Sequence, residues 1–198
     1  MVKHPLHIGL LHGEDIPEKV IADFVGDIQQ DGLKVQVESR PLTPLAGIEW
    51  LLPTAVILFI TRDYFGGFLR EAGKDHYSIL KGAIIKKWPS FFGENPTVSL
   101  KTVVSGEKKL RGTHSMSFSI QAQIENGQNL KLIFRKDISE DEYRNSINEF
   151  LKLLAEYNIE KSLPENAIVR SQTIVVEYNP EQKEIIFLDP YQSAKSQT

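Results

Sequence analysis

The chain has 198 residues, 41% of them hydrophobic and 25% charged, with a formal net charge of −3 and no cysteine. Those figures fit an ordinary globular protein of one large domain or two small ones; they exclude disulfides, thiol nucleophiles and cysteine-ligated metal centres, and do not suggest a general nucleic-acid binder. No run approaches the roughly 20 apolar residues that span a membrane, and the N-terminus lacks a signal-peptide pattern, so a cytoplasmic location is expected.

Leu6–Leu11 reads as the first strand, followed by the polar loop His12-Gly13-Glu14-Asp15. A helix is expected from about Pro17 to Gln30, with Asp15 or Ile16 as its cap and Pro17 in its first turn. Val20, Ile21, Phe24, Val25 and Ile28 fall on one face at helical spacing, and Gly32 is placed as a left-handed cap. Lys34–Glu38 is the second strand. Pro41 and Pro44 keep the next loop extended, and Gly47–Leu52 has room for little more than a turn of helix before Pro53. Ala55–Ile60 (AVILFI) is short, uncharged and rich in branched residues, which fits a strand buried on both faces in the middle of a parallel sheet. Gly66-Gly67 opens a helical stretch running to Lys87 or Trp88, irregular around Gly73. Its expected buried face is Ile79, Leu80, Ala83, Ile84 and Trp88.

Beyond Pro89–Pro96 the period changes to 2. Thr97–Val104 is an expected strand. In His114–Glu125, Met116, Phe118, Ile120, Ala122 and Ile124 alternate with Ser117, Ser119, Gln121 and Gln123. Asn126-Gly127 favours a type I′ turn, and Asn129–Lys136 returns as the partner strand with Leu130, Leu132 and Phe134 inward. Ser139-Glu140-Asp141-Glu142 is a capping box, with Ile138 and Tyr143 placed as its hydrophobic staple. The helix it starts runs to about Tyr157, burying Ile147, Phe150, Leu151 and Leu154. Thr173–Tyr178 and Glu184–Leu188 form a last hairpin, and residues 192–198 read as a disordered tail.

The expected fold class is α/β: a parallel β-α-β core of flavodoxin-like type in residues 1–92, continued by an antiparallel α+β region over 93–191. Each half alone is small, which favours one compact unit over two domains.

Three features of the first half carry a family resemblance. IGLLHGED stands where an opening strand and its polar loop belong. Arg40-Pro41-Leu42-Thr43-Pro44-Leu45 is similar to a loop pattern of arginine, acidic residue, two variable residues, proline and glycine. VILFITRDYFGGFLREA is similar to a buried strand, a Ser-Pro-x-Tyr loop and a helix bearing a glutamate. Together they resemble a divergent TIR domain. Arg40 and Pro44 match the family's loop, whereas Pro41 and Leu45 occupy its acidic and glycine positions. Thr61, Tyr64 and Glu71 take the places of its later motif. The helix before the third strand is about two turns short, the tryptophan before the glutamate is absent, and Tyr64 and Glu71 are about two residues too close.

The resemblance implies a signalling or defence protein of one of two kinds: a self-associating interaction module, or an enzyme that cleaves NAD at the nicotinamide–ribose bond. In the second case Glu71 would stabilise the oxocarbenium charge on the ribose. Tyr64 and Phe68 would pack on a base, Arg40 would meet a phosphate, Gly66 and Gly67 would present backbone amides, and His12 would line the same cleft. NAD is then substrate, and no bound cofactor is expected. In the first case the loop Ser39–Ile48 would self-associate. In a parallel sheet this loop and Thr61–Gly67 would share the carboxyl end of the strands, where ligands gather.

Simpler readings stand beside these. Glu71 is also a surface helix residue with Lys74 three positions on, Gly66-Gly67 an ordinary turn, and Arg40 a surface residue. Glu14 and Asp15 resemble the acidic pair of receiver domains, but the third strand ends in Thr61-Arg62 where the acceptor aspartate belongs. His12 and Glu14 lack a second histidine at ligand spacing, so no metal is expected, and His4 and His7 read as surface residues. The basic stretch with Lys81, Lys86, Lys87, Lys101, Lys108, Lys109 and Arg111 around Trp88, Phe91 and Phe92 is read as a solvated face beside core aromatics rather than a nucleic-acid patch, and a nucleotide- or nucleic-acid-binding α/β protein outside the TIR family stands as the third alternative.

Overall fold

The computed structural model of the chain describes residues 6–41, 54–98, 113–169 and 171–189. Seven strands form one mixed sheet: β1 (Ile8–Gly13), β2 (Val35–Arg40), β3 (Val56–Ile60), β4 (Phe118–Gln123), β5 (Asn129–Leu132), β6 (Thr173–Asn179) and β7 (Glu184–Leu188). Their order is β2-β1-β3-β4-β5-β6-β7, so strands on both sides of residue 92 share the sheet. Among the described residues four α-helices accompany it: α1 (Glu18–Ile28), α2 (Leu69–Ile85), the short α3 (Trp88–Phe92) and α4 (Glu140–Glu160).

The pairs β1–β2, β3–β4 and β5–β6 are parallel; β1–β3, β4–β5 and β6–β7 are antiparallel. The expectation that β3 lies in a parallel sheet with β1 is therefore corrected: Ile60 faces Ile8 and Val56 faces His12. Its burial is as expected, with only Phe59 partly exposed. An uncharged apolar run reports burial on two faces and carries no sign of direction. In the C-terminal half the two hairpins are antiparallel as expected, and the parallel β5–β6 pair is added by the α4 crossover.

All four helices cover one face. Paired positions put Leu10, Leu58, Ile120, Leu132 and Val176 on that face, and they join the helical residues in one core. Phe24 of α1 meets Phe118, Phe91 of α3 stacks on Phe118 at 4.5 Å, and Tyr143 of α4 packs on Phe134. Each buried Leu, Ile or Phe there contributes about 1.5–3 kcal/mol. β1 and β5 point the same way, yet β1→β2 and β5→β6 step to opposite sides. With α1 and α4 on one face, the two connections have opposite hands, so one of them departs from the right-handed preference.

The local chemistry agrees in places and differs in others. Ser139 and Glu142 close the capping box of α4, and the Tyr143 hydroxyl donates to Ile84 O at 3.1 Å, tying α4 to α2. At α1 the cap is Pro17 itself, with no side-chain cap bond from Asp15 or Ile16. Gly32 has φ +79° but lies beyond the helix end, in a turn closed by Leu33 N on Gln30 O, where a type II turn requires positive φ. A 3₁₀ turn over Glu125–Gly127, with φ +72° at Gly127, replaces the type I′ turn. Thr97 and Val98 belong to no strand. The rest of the Thr97–Val104 strand, the short helix within Gly47–Leu52, most of the Ser39–Ile48 loop and the C-terminal tail lie outside the described residues.

Before α2 the chain makes a π-helical turn, Tyr64–Phe68, and Gly73 then breaks α2 with φ 76° and ψ −171°. That conformation is open almost to glycine alone. Gly82 sits in regular helix, with nothing within 4 Å of an added Cβ. Gly82→Ala is expected to stabilise the protein by about 0.5–1 kcal/mol, and Gly73→Ala to destabilise it by about 1–3 kcal/mol. Thermal unfolding followed by circular dichroism checks both; shifts of the same sign would remove the constraint assigned to Gly73.

Candidate functional site

The antiparallel β1–β3 pair divides the expected site between two ends of the sheet. Gly13 at the end of β1 faces Arg40 at the end of β2, and Gly13 N donates to Ala55 O at the start of β3. His12 and Arg40 lie at that end. The end of β3 lies at the other, where Thr61 N donates to His7 O. Tyr64, Gly66, Gly67, Phe68 and Glu71 follow from there, roughly 17 Å away along β3. The expectation that the loops after β2 and β3 line one cleft is corrected.

At the first end His12 is half-buried, its Nδ1 within 2.9 Å of Gly13 O. Arg40 is half-buried and acts on Lys131 of β5. Burial first, and Arg40 second, bring the Lys131 ammonium down to about 8. Lys131 is only 4% exposed, on the sheet face opposite the helices, beside the paired Gln121. On the same face Ser119 is fully buried and shares a hydrogen bond with Thr54.

At the second end the side chains expected to meet a nucleotide are in the core. Tyr64 is fully buried and Phe68 nearly so. The two rings stack 6.0 Å apart, and Phe68 lies 4.8 Å from His76 and 4.9 Å from His7. His76, 2% exposed, places Nε2 3.1 Å from Ile28 O and Nδ1 3.1 Å from the Tyr64 hydroxyl. A carbonyl only accepts, so neutral His76 carries its proton on Nε2 and Tyr64 donates to Nδ1. Burial raises the Tyr64 phenol far above its usual range. Glu71 is exposed in the first turn of α2 and makes no ion pair among the described residues, with Lys74 or otherwise; its charge is felt at His7. Gly66 and Gly67 are half-buried, and an added Cβ at either meets nothing within 4 Å.

His7, expected at the surface, is 8% exposed and accepts Lys34 N on Nδ1 at 3.1 Å. Several buried positions escaped the sequence reading, among them Lys87, read as part of a solvated face but 6% exposed and held by Asp27, and His76 and Lys131. His76 stands four residues before Leu80 and eight before Ile84, so helical spacing alone would have placed it on the buried face. Lys131 lies between the inward Leu130 and Leu132, and the alternation assigned it to solvent.

Among the described residues, no three histidines or acids come together as a metal site, and no helix is long and apolar enough to cross a membrane. No protein-family model, curated protein or solved structure matches the chain.

Burial lowers the pKa of both His76 and His7 below the ordinary 6.5. The unfolded chain takes up these protons as pH falls through 6.5 and the folded chain only at lower pH. Stability is therefore full above pH 6.5 and declines below it, until the folded histidines also titrate. Urea unfolding between pH 5 and 8 is expected to show this slope, and His76→Gln, which can still bond Tyr64 and Ile28, is expected to flatten it. An unchanged slope would mean that His76 is not one of the titrating groups.

Proposed function

We propose that the chain is a non-catalytic interaction module built on its N-terminal strands, and not a NAD-cleaving enzyme. One observation carries this reading. The aromatic residues that would hold a dinucleotide, Tyr64 and Phe68, are core residues, and the Tyr64 hydroxyl is committed to His76. The arginine that would meet a phosphate, Arg40, stands at the opposite end of the sheet. Glu71 is in water, outside any low-dielectric cleft in which a carboxylate would gain strength against developing charge.

The TIR resemblance enters this proposal in reduced form. The neighbour order β2-β1-β3-β4-β5 is that of flavodoxin-like sheets, and the direction of β3 and β4 relative to β1 is not. What the resemblance contributes is the self-associating branch of its family's behaviour, in a cytoplasmic signalling or defence setting, without the nucleotide chemistry.

NAD incubated with the purified protein at high concentration, beside Glu71→Ala and Glu71→Gln, is expected to stay intact in all three samples when followed by chromatography. Nicotinamide released by the native chain and lost in both variants would overturn the proposal and establish Glu71 as catalytic.

A further inference from the structure

We propose that β2 pairs with β2 of a second copy of this chain, antiparallel and centred on Gln36, joining two sheets across a two-fold axis. β2 is an edge of the sheet. Its central residues are exposed, and Val37, at 43%, is among the few large apolar side chains left in water. An open groove lined by Gln29, Leu33, Lys34, Val35 and Val37 runs beside it.

The backbone decides which residues can bond outward. Lys34 O accepts from Ile8 N, and Arg40 O from Glu14 N. In a strand the N–H and C=O of one residue point to one side and those of the next to the other. Lys34, Gln36, Glu38 and Arg40 therefore bond toward β1, and Val35, Val37 and Ser39 point their N–H and C=O outward. No proline interrupts this row.

The side chains decide the register. Centred on Gln36, each Val35 is a hydrogen-bonded partner of the other copy's Val37, so the same outward pair occurs twice, once on each side of the axis. Each Lys34 then faces Glu38 of the other copy. Both are exposed and, among the described residues, neither has an ion-pair partner within its own chain. A centre on Val37 would set Lys34 against Arg40, and a centre on Glu38 would set two glutamates against each other; like charges directly opposite are destabilising. A centre on Ser39 would match Glu38 with Arg40 but set Val37 against Pro41, which has no N–H to donate; the Gln36 centre joins matched charges to complete hydrogen bonding. Arg40, at the end of β2, lies beyond the paired Lys34–Glu38 span and stays out of the contact. A strip this narrow buries less than about 1,200 Å², the range of weak, reversible association.

The inference rests on the interaction-module reading and names its partner. The native chain is expected to show concentration-dependent dimers in sedimentation velocity, weakened by salt. Lys34→Glu and Glu38→Lys each place like charges across the axis and are expected to weaken the dimer about tenfold or more. The first variant is acidic at both positions and the second basic at both. Mixed in equal amounts they restore opposite charges across the axis, so a heterodimer is expected from two monomeric samples. Val37→Pro removes an outward donor while sparing the β1–β2 bonds and is also expected to be monomeric, with circular dichroism confirming that every variant is folded. A native chain that stays monomeric up to about 1 mM, a mixture that fails to associate, or assemblies that grow beyond two copies would overturn the proposal. A monomer that leaves NAD intact removes the self-pairing alone, whereas a dimer that releases nicotinamide removes the non-catalytic reading alone.

Discussion

The antiparallel seating of β3 against β1 is the constraint from which the arrangement of the N-terminal half follows. It brings Thr61 to the start of β1, where its backbone donates to His7 O and its hydroxyl to Leu6 O. The chain leaving β3 must then turn at that end, and the π-helical turn Tyr64–Phe68 forms beside His7. α2 runs back over the sheet next to α1, joined by Asp27, which holds Lys86 and Lys87 at 2.9 Å each. Had β3 run parallel to β1, the same residues would have emerged beside Gly13 and Arg40. Direction, and not composition, separates this chain from a cleft-bearing sheet.

The aromatic cluster under the π-turn shows how polar groups are made tolerable in such a core. An unsatisfied buried donor or acceptor costs about 1–3 kcal/mol. His76 answers two of them at once, accepting a hydrogen bond from the Tyr64 hydroxyl and donating one to Ile28 O at the end of α1, where helix carbonyls lack partners. His7 does the same for Lys34 N at the entry to β2. Both histidines must be neutral to serve, and this ties fold stability to pH. The break at Gly73 lies between the π-turn and the turn of α2 that carries His76. It lets two helical segments of different register both reach Tyr64.

Much of the local chemistry was legible in the sequence, though not the cap of α1 or the turn at Asn126-Gly127, and long-range direction was not. The capping box at Ser139 and the inward alternation of Phe118, Ile120 and Ala122 depend on neighbours a few residues away, and each stands where those neighbours put it. The irregularity at Gly73 was legible for the same reason. The direction of β3 depends on the end of the sheet at which the chain enters it, and AVILFI reads the same in either sense. The candidate site inherited that ambiguity. Arg40, His12, Tyr64, Phe68 and Glu71 were grouped on the premise that all strands point one way. Lys131 was misplaced by a different rule: alternation names the face a side chain takes, and assumes that the face away from the helices meets water. Here Ser119, Lys131 and Val175 on that face are buried as well.

A sheet with its helices on one face leaves its backbone unpaired only at its two edges, and the edges differ. β7 is half-buried and carries a single charge, Glu184. β2 is exposed along its middle and carries Lys34, Glu38 and Arg40 at or beside its ends. Charges on an edge strand ordinarily keep other strands away, and they do so when the pattern is of one sign or unmatched. A pattern that reads plus, neutral, neutral, neutral, minus across five residues is its own complement when reversed. The residues that deter indiscriminate pairing are thus the ones that would match the same strand of another copy in the dimer proposed above.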